Sequence, residues 1–428
     1  MIARTLATFA LLGAPIALAA QDSTTVPTVT LDEAIRLAIR NQPSVVAARG
    51  NVDVAAAGRR EAFGNWLPSL NVNSSMSRSS SSRFDQATQR VVSGSATAAS
   101  AGLSASLTLF DGFRRFAQSR AANATQESAD AALVTQEFQV TLQTKQSFFN
   151  ALAADELVRV GETRVRRAEQ QLRVAKDKLA AGSATRSDTL RSTVELGNAR
   201  LQLLNAQTQR ANAAASLARL IGYDGPVAPV ADSSLYFLQP LDLQALQQEA
   251  IGNAPTVVSA QASLDAAQAQ VGVTRAQYLP SVAASYSRSY SGADFTGLNP
   301  SWSARLSLSW NLFNGFSRES NVARVNAGRD AAEAQLSDAR RQTAAQLTQY
   351  VNSLEAARAR IQIGVASRAA AEEDLRVQNE RYRLGAATIV EVLTSQESLG
   401  QAEVDLVQAR LDFLVAKAQV EALLGRSL

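Results

Sequence analysis

Residues 301–312 alternate without a break. Trp302, Ala304, Leu306, Leu308, Trp310 and Leu312 are apolar, and Ser301, Ser303, Arg305, Ser307, Ser309 and Asn311 are polar. The same rhythm runs earlier, with Leu103, Ala105, Leu107 and Leu109 set between Ser104, Ser106 and Thr108. Period-2 alternation predicts strands with one apolar and one polar face. Two strands are expected in the first half, near residues 70–76 and 101–109, and two more in the second. A half-buried sheet in a soluble protein is one reading. A membrane barrel is favoured by the Ser, Thr and Asn of the polar face and by the aromatic ends. Trp302 and Trp310 are separated by roughly 26 Å of strand, or ~20 Å of height at a ~40° tilt, which fits two interfacial girdles. Trp66, Phe110, Tyr278 and Phe313 would crowd the inner girdle.

Elsewhere the period changes. Ala154, Val158, Gly161, Val165, Ala168, Leu172, Ala175 and Leu179 keep a 4-3 spacing, which is a coiled-coil seam. Leu190, Val194, Gly197, Leu201, Leu204, Thr208, Ala211 and Ala215 keep it too, and the two seams are expected to pack as antiparallel partners. The long helices predicted over 112–181 and 315–384 would each be ~105 Å at 1.5 Å per residue. Gly182 and the polar residues after it break the first, and Gly385 ends the second. The last helix carries one seam at Leu399, Ala402, Leu406, Ala409, Phe413, Ala416, Val420 and Leu423, and a weaker one at Gly400, Val404, Val407, Leu411, Leu414 and Ala418. Two seams imply neighbours on both sides, as in the wall of a tube; a solid bundle is the other arrangement they allow. Thr30 and Glu33 form a candidate capping box ahead of a short helix that ends before Pro43.

The chain is one pattern written twice. Leu31-Asp32-Glu33-Ala34 through Asn41-Gln42-Pro43 returns as Leu241-Asp242-Leu243-Gln244 through Asn253-Ala254-Pro255. Trp66-Leu67-Pro68-Ser69 returns 212 positions on at Tyr278-Leu279-Pro280-Ser281. Leu109-Phe110-Asp111-Gly112-Phe113 returns 203 positions on at Leu312-Phe313-Asn314-Gly315-Phe316. The difference places a longer Ser-rich loop in the first copy. Residues 21–222 are the first repeat, 223–240 a linker, and 241–428 the second repeat.

Four strands do not close a barrel, and an open edge in lipid leaves backbone groups unsatisfied at several kcal/mol each. Other copies must supply the remaining strands. Two protomers would reach the smallest common barrel of eight strands; a polar lumen wide enough for water favours three protomers and twelve strands.

Composition narrows the chemistry. The 428 residues include no Cys and no His, so the commonest general base and metal ligands are absent. No cofactor or metal site is expected. Only four lysines, Lys145, Lys176, Lys178 and Lys417, offer an amine nucleophile, and all fall on long helical segments. The net charge of +4 is spread in interspersed Arg and Asp/Glu, which excludes a nucleic-acid tract. Residues 1–20 read as a secretory signal, with Arg4, an apolar core and Ala17-Leu18-Ala19 at the cleavage site; a buried N-terminal helix is the alternative.

Over nearly the whole mature chain these motifs resemble the TolC family of outer-membrane efflux proteins. Most specific is the run Tyr382-Arg383-Leu384-Gly385-Ala386-Ala387-Thr388-Ile389-Val390-Glu391-Val392-Leu393, which is similar to the family's tip turn. The resemblance implies a mainly α fold with a membrane β-barrel: a homotrimer with four strands per protomer, a helical tunnel and an equatorial belt that takes in the linker. It implies a passive duct in the outer membrane, in contact with lipid, that meets a periplasmic adaptor and an inner-membrane pump or ABC transporter. It places Ser187, Asp188, Tyr382 and Glu391 at a periplasmic gate, and Gly182, Ser183, Gly385 and Ala386 at the adaptor-docking turns. The family's latch arginine falls on Ala387, and its second acidic ring position on Thr394. A periplasmic coiled-coil scaffold or adaptor is the competing reading.

Overall fold

A computed structural model describes residues 27–87, 89–230, 250 and 252–428. The expected signal, most of the linker and the short helix near Leu241 lie outside these residues. A short strand β1 (Thr28–Val29) leads into α1 (Leu31–Asn41) and α2 (Pro43–Gly64), which begins with Pro43 where its missing N–H costs nothing. Thr30 accepts from the Glu33 amide at 3.4 Å. Strands β2 (Ser69–Asp85) and β3 (Arg90–Phe110) follow, then α3 (Arg114–Ala180) and α4 (Arg186–Ile221). After Gly222, β4 (Ala228–Pro229) pairs in parallel with β1. The second repeat supplies α5 (Pro255–Arg275), β5 (Ser281–Gly292), β6 (Asn299–Ser309), α6 (Ser317–Arg383) and α7 (Ile389–Leu424).

The duplication is metrical. Helices α3 and α6 are each 67 residues, about 100 Å, and α4 and α7 are each 36. A Cβ at Gly161 would lie 3.3 Å from Leu203, and one at Gly364, 203 positions on, 3.3 Å from Leu406. Both contacts cross a hairpin, so each hairpin is drawn together at the same height by a missing side chain.

One antiparallel sheet runs β2-β3-β5-β6. The first pair is far longer than the alternation foretold, 17 and 21 residues against 12 and 11 in the second. The Ser-rich segment expected to be a loop is ribbon. Its backbone pairing continues where no apolar face marks it, and Ser75 and Ser100 hydrogen-bond across the strands at 2.9 Å. β6 stops at Ser309, so Trp310 and Leu312 lie just past the strand rather than within it.

Helix packing corrects one seam. In α4 the residues turned inward are Ser192, Leu196, Ala199, Leu203 and Leu217, with Leu196 and Ala199 in a cluster beside Val165, Ala168 and Leu172 of α3. The stripe from Leu190 to Ala215 is not the partner of α3. Leu190, Val194, Leu201 and Leu204 are each about 60% exposed (58, 63, 62 and 58%). The close approach at Gly161 selects the register that presents Leu203, which turns the bulkier stripe outward. Of the two seams of α7 the first faces α6, and the second meets α3 through Gly400, Val407, Leu411 and Leu414, while Val404 stays 38% exposed. The largest cluster lies midway along the molecule, where Phe148, Val351, Leu354, Phe413 and Val420 pack with α1 residues Ala34 and Ala38. Among the described residues no helix is long and apolar enough to cross a membrane.

Candidate functional site

The tip is formed by two equivalent turns. Gly182 and Gly385 take positive φ of 70° and 77°, a conformation that glycine adopts without a Cβ clash. The Ser183 amide then returns to the Lys178 carbonyl at 2.8 Å, and the Ala386 amide to the Arg381 carbonyl at 2.8 Å. Each following helix opens on a reciprocal capping box. Thr185 and Asp188 form the first, and Thr388 and Glu391 the second. Asp188 Oδ2 accepts from the Thr185 amide at 2.9 Å, and Glu391 Oε2 from the Thr388 amide at 2.6 Å. The threonines at the caps were not singled out in the sequence, although their spacing of three from each acid is the capping signature. Ser187 sits in the first turn of α4 and is exposed.

These bonds hold the Glu391 carboxyl below the usual glutamate value, the Thr388 amide contributing most, then the Thr388 hydroxyl. Arg381 stands 3.9 Å from the other carboxylate oxygen. Tyr382 is buried in a cluster with Leu375, Ile389, Val392 and Leu399, against which Val174 of α3 packs. Burial, then the Asp188 charge, pushes its phenol up. Its hydroxyl has no hydrogen-bond partner. Arg383 pairs with Glu380 at 3.4 Å on the surface and does not reach the first hairpin. Lys178 does: its ammonium lies 4.6 Å from the Tyr382 ring centroid and donates to the Tyr382 carbonyl. The sequence marks Lys178 only as one of four lysines; its counterpart 203 positions on is Arg381.

At the other end of the long helices, the sheet meets them through a repeated aromatic–arginine corner. Arg115 lies over Trp66 at 4.5 Å and pairs with Asp111, while Arg318 lies over Tyr278 at 4.2 Å. Trp310 donates to the Tyr278 carbonyl at 3.2 Å. Phe110 meets Phe113 edge-on, as Phe313 meets Phe316. Trp302 stands toward the other end of β6, opposite Arg288 of β5, and is 72% exposed. Between the hairpins, Lys145 pairs with Glu421, Arg167 with Glu403 in bidentate fashion, and Arg164 with Glu397, while Arg164 also pairs with Glu195 inside its own hairpin. Among the described residues no acidic group is arranged to hold a metal ion.

The molecule is thus an amphipathic sheet carried on paired coiled hairpins about 100 Å long. The model of the family described as "Outer membrane efflux protein" matches residues 34–223 and 246–426. The chain belongs to that family. It is similar to the pyoverdine export outer membrane protein OpmQ of Pseudomonas aeruginosa, 28% identical over 408 residues, 92% of this chain and 85% of that one. Its fold is shared with a crystal structure of a membrane protein from Pseudomonas aeruginosa, TM-score 0.81, 20% identical, covering 94% of this chain and 91% of that one. It is shared too with the outer membrane protein VceC of Vibrio cholerae, TM-score 0.78, 20% identical, covering 93% and 96%. The protein is an outer-membrane channel of the efflux and secretion type, and it is not an enzyme.

Proposed function

We propose that three copies close into one duct, with a twelve-stranded barrel above a continuous helical tube. The observation that carries this is the outward stripe of α4. Shifted by 203, Gly197, Leu201, Leu204, Thr208, Ala211 and Ala215 become Gly400, Val404, Val407, Leu411, Leu414 and Ala418, the seam of α7 that lies against α3. The repeat therefore makes the same interface twice. One is filled by α3; the other calls for α6 of a second copy. The sheet makes the same demand, because β2 and β6 are open edges. Such a head-to-tail contact closes into a ring. Eight strands leave room only for side chains, so twelve is the smallest whole multiple of four that leaves a pore.

The girdle residues Trp66, Phe110, Tyr278, Trp310 and Phe313 then sit at the periplasmic leaflet, and Trp302 at the outer one. At the far end Ser187, Asp188, Tyr382 and Glu391 surround the aperture, and the ionised carboxylates of three copies favour cations there. The turns at Gly182, Ser183, Gly385 and Ala386 are the surface offered to a periplasmic adaptor, which joins the duct to an inner-membrane pump or ABC transporter.

The absence of cysteine makes the test direct. Arg164 touches Glu397 and Gly400 within the chain, and the same shift pairs Ser367 of one copy with Val194 and Gly197 of the next. Val194→Cys with Ser367→Cys, joined by a short bis-maleimide, should give bands of one, two and three chains. Monomer alone would refute the ring.

A further inference from the structure

At the tip, two helix C-termini arrive side by side, those of α3 and α6, each presenting the negative end of its dipole. One cation lies between them. We propose that Lys178 is the strap that joins the two hairpins and sets the aperture of the closed tip. This rests on the channel reading above.

Three observations converge on it. Lys178 belongs to the last turn of α3, and its own carbonyl closes the first tip turn by accepting from the Ser183 amide and hydroxyl at 2.8 and 3.1 Å. Its ammonium crosses to the last turn of α6, donating to the Tyr382 carbonyl beneath the Tyr382 ring. Val174, one helical turn back on the same face, packs on the cluster that buries Tyr382. Charge and packing thus act together along one edge of α3.

The second repeat does not duplicate the strap. Arg381, at the equivalent position, stays on its own turn, with Nη2 donating to the Ala386 carbonyl at 3.1 Å and Nη1 to Gln378 at 3.0 Å. Within one chain, the crossing between the hairpins at the tip is therefore made by the lysine of the first repeat. Tyr382 serves it through its ring and carbonyl, since its hydroxyl is buried without a partner.

Single-channel conductance in planar bilayers tests the strap. Lys178→Met keeps the aliphatic stem and loses the charge; it should raise conductance at least twofold. Lys178→Arg should stay near wild type, and Lys176→Met, which removes an exposed lysine two residues away, should be silent. Lys178→Gln, which keeps a donor for the carbonyl, should fall between and carries the test if the Met variant does not assemble. Wild-type conductance in both the Met and Gln variants would overturn the strap, and so would a Lys176→Met effect as large as that of Lys178→Met. A wild-type protein that forms no channels would instead overturn the channel reading.

Discussion

The seam on α4 and the seam on α7 are the same sequence pattern in two different situations. On α7 it is covered by α3, and charged pairs flank it: Arg164 with Glu397, and Arg167 with Glu403. On α4 the corresponding positions are apolar or already engaged. Glu397 becomes Val194, and Glu403 becomes Arg200, which bonds Glu169 on the neighbouring helix at 3.0 Å. The internal joint is thus keyed by charge, whereas the joint left open is a bare apolar stripe. A duplicated chain that must close on copies of itself has reason to keep these different. Charges mark which hairpins meet inside one protomer, and the hydrophobic effect drives what remains.

The most damaging change should be a charge in the open stripe. Leu201→Asp is expected to abolish the trimer, read as mass in detergent, while leaving the helical content of the monomer. Leu406→Asp, on the covered side against Gly364, should abolish folding itself. A Leu201→Asp trimer would break the comparison.

Next in size is the key. Arg167→Ala strands Glu403 partly buried and should cost about 3 kcal/mol, seen in thermal unfolding. Arg167→Met with Glu403→Leu should recover most of it. If the single and double variants unfold alike, the pair does not hold the internal joint.

A third test moves to the tip, where the two acids are capping partners and one is tuned. Glu391→Gln keeps a side chain that can cap and removes the charge, so cation selectivity should fall a few-fold. The sign of its pH dependence follows from the lowered pKa. A carboxyl held below its usual value stays charged as pH falls through the ordinary glutamate range, and cation preference should persist there before it disappears at lower pH. Loss of selectivity within the ordinary range would show that the cap does not tune the ring.

The smallest effect belongs to the caps themselves. Thr185→Ala and Thr388→Ala should each cost about 1 kcal/mol. Equal losses would confirm that the two turns are equivalent in stability even though only one carries the strap.

Much of the architecture was legible because duplication prints every signal twice. The turn glycines, the LF-D/N-GF corners and the 67-residue helices were within a few residues of their expected bounds. The extent of β2 was not, because Ser and Arg at successive positions leave no contrast between faces for periodicity to report. The α4 partner was misassigned for a related reason. That helix has two 4-3 stripes, and the bulkier looked like a core, although a Gly161-sized gap favours the one bearing Leu203. At the tip, Asp188 and Glu391 were visible as acids, but their bonds to Thr185 and Thr388 fix which oxygen caps the helix. Lys178 carried no local signal at all, since its partner is a backbone carbonyl 204 residues away.

The long hairpin has one last consequence. β5 and β6, of 12 and 11 residues, have about the length a tilted membrane-spanning strand needs, but β2 and β3 run on together past the end of that pairing, from Ala99 to Arg90 on one strand. At ~3.4 Å per residue this adds about 30 Å of two-stranded ribbon. In the proposed ring, three such ribbons would stand above the lipid as a serine-faced palisade. A phage, an antibody or a bacteriocin approaching the cell would meet it before the mouth of the pore. An epitope inserted at its crest, between Ala87 and Arg90, should be readable on intact cells without disturbing export.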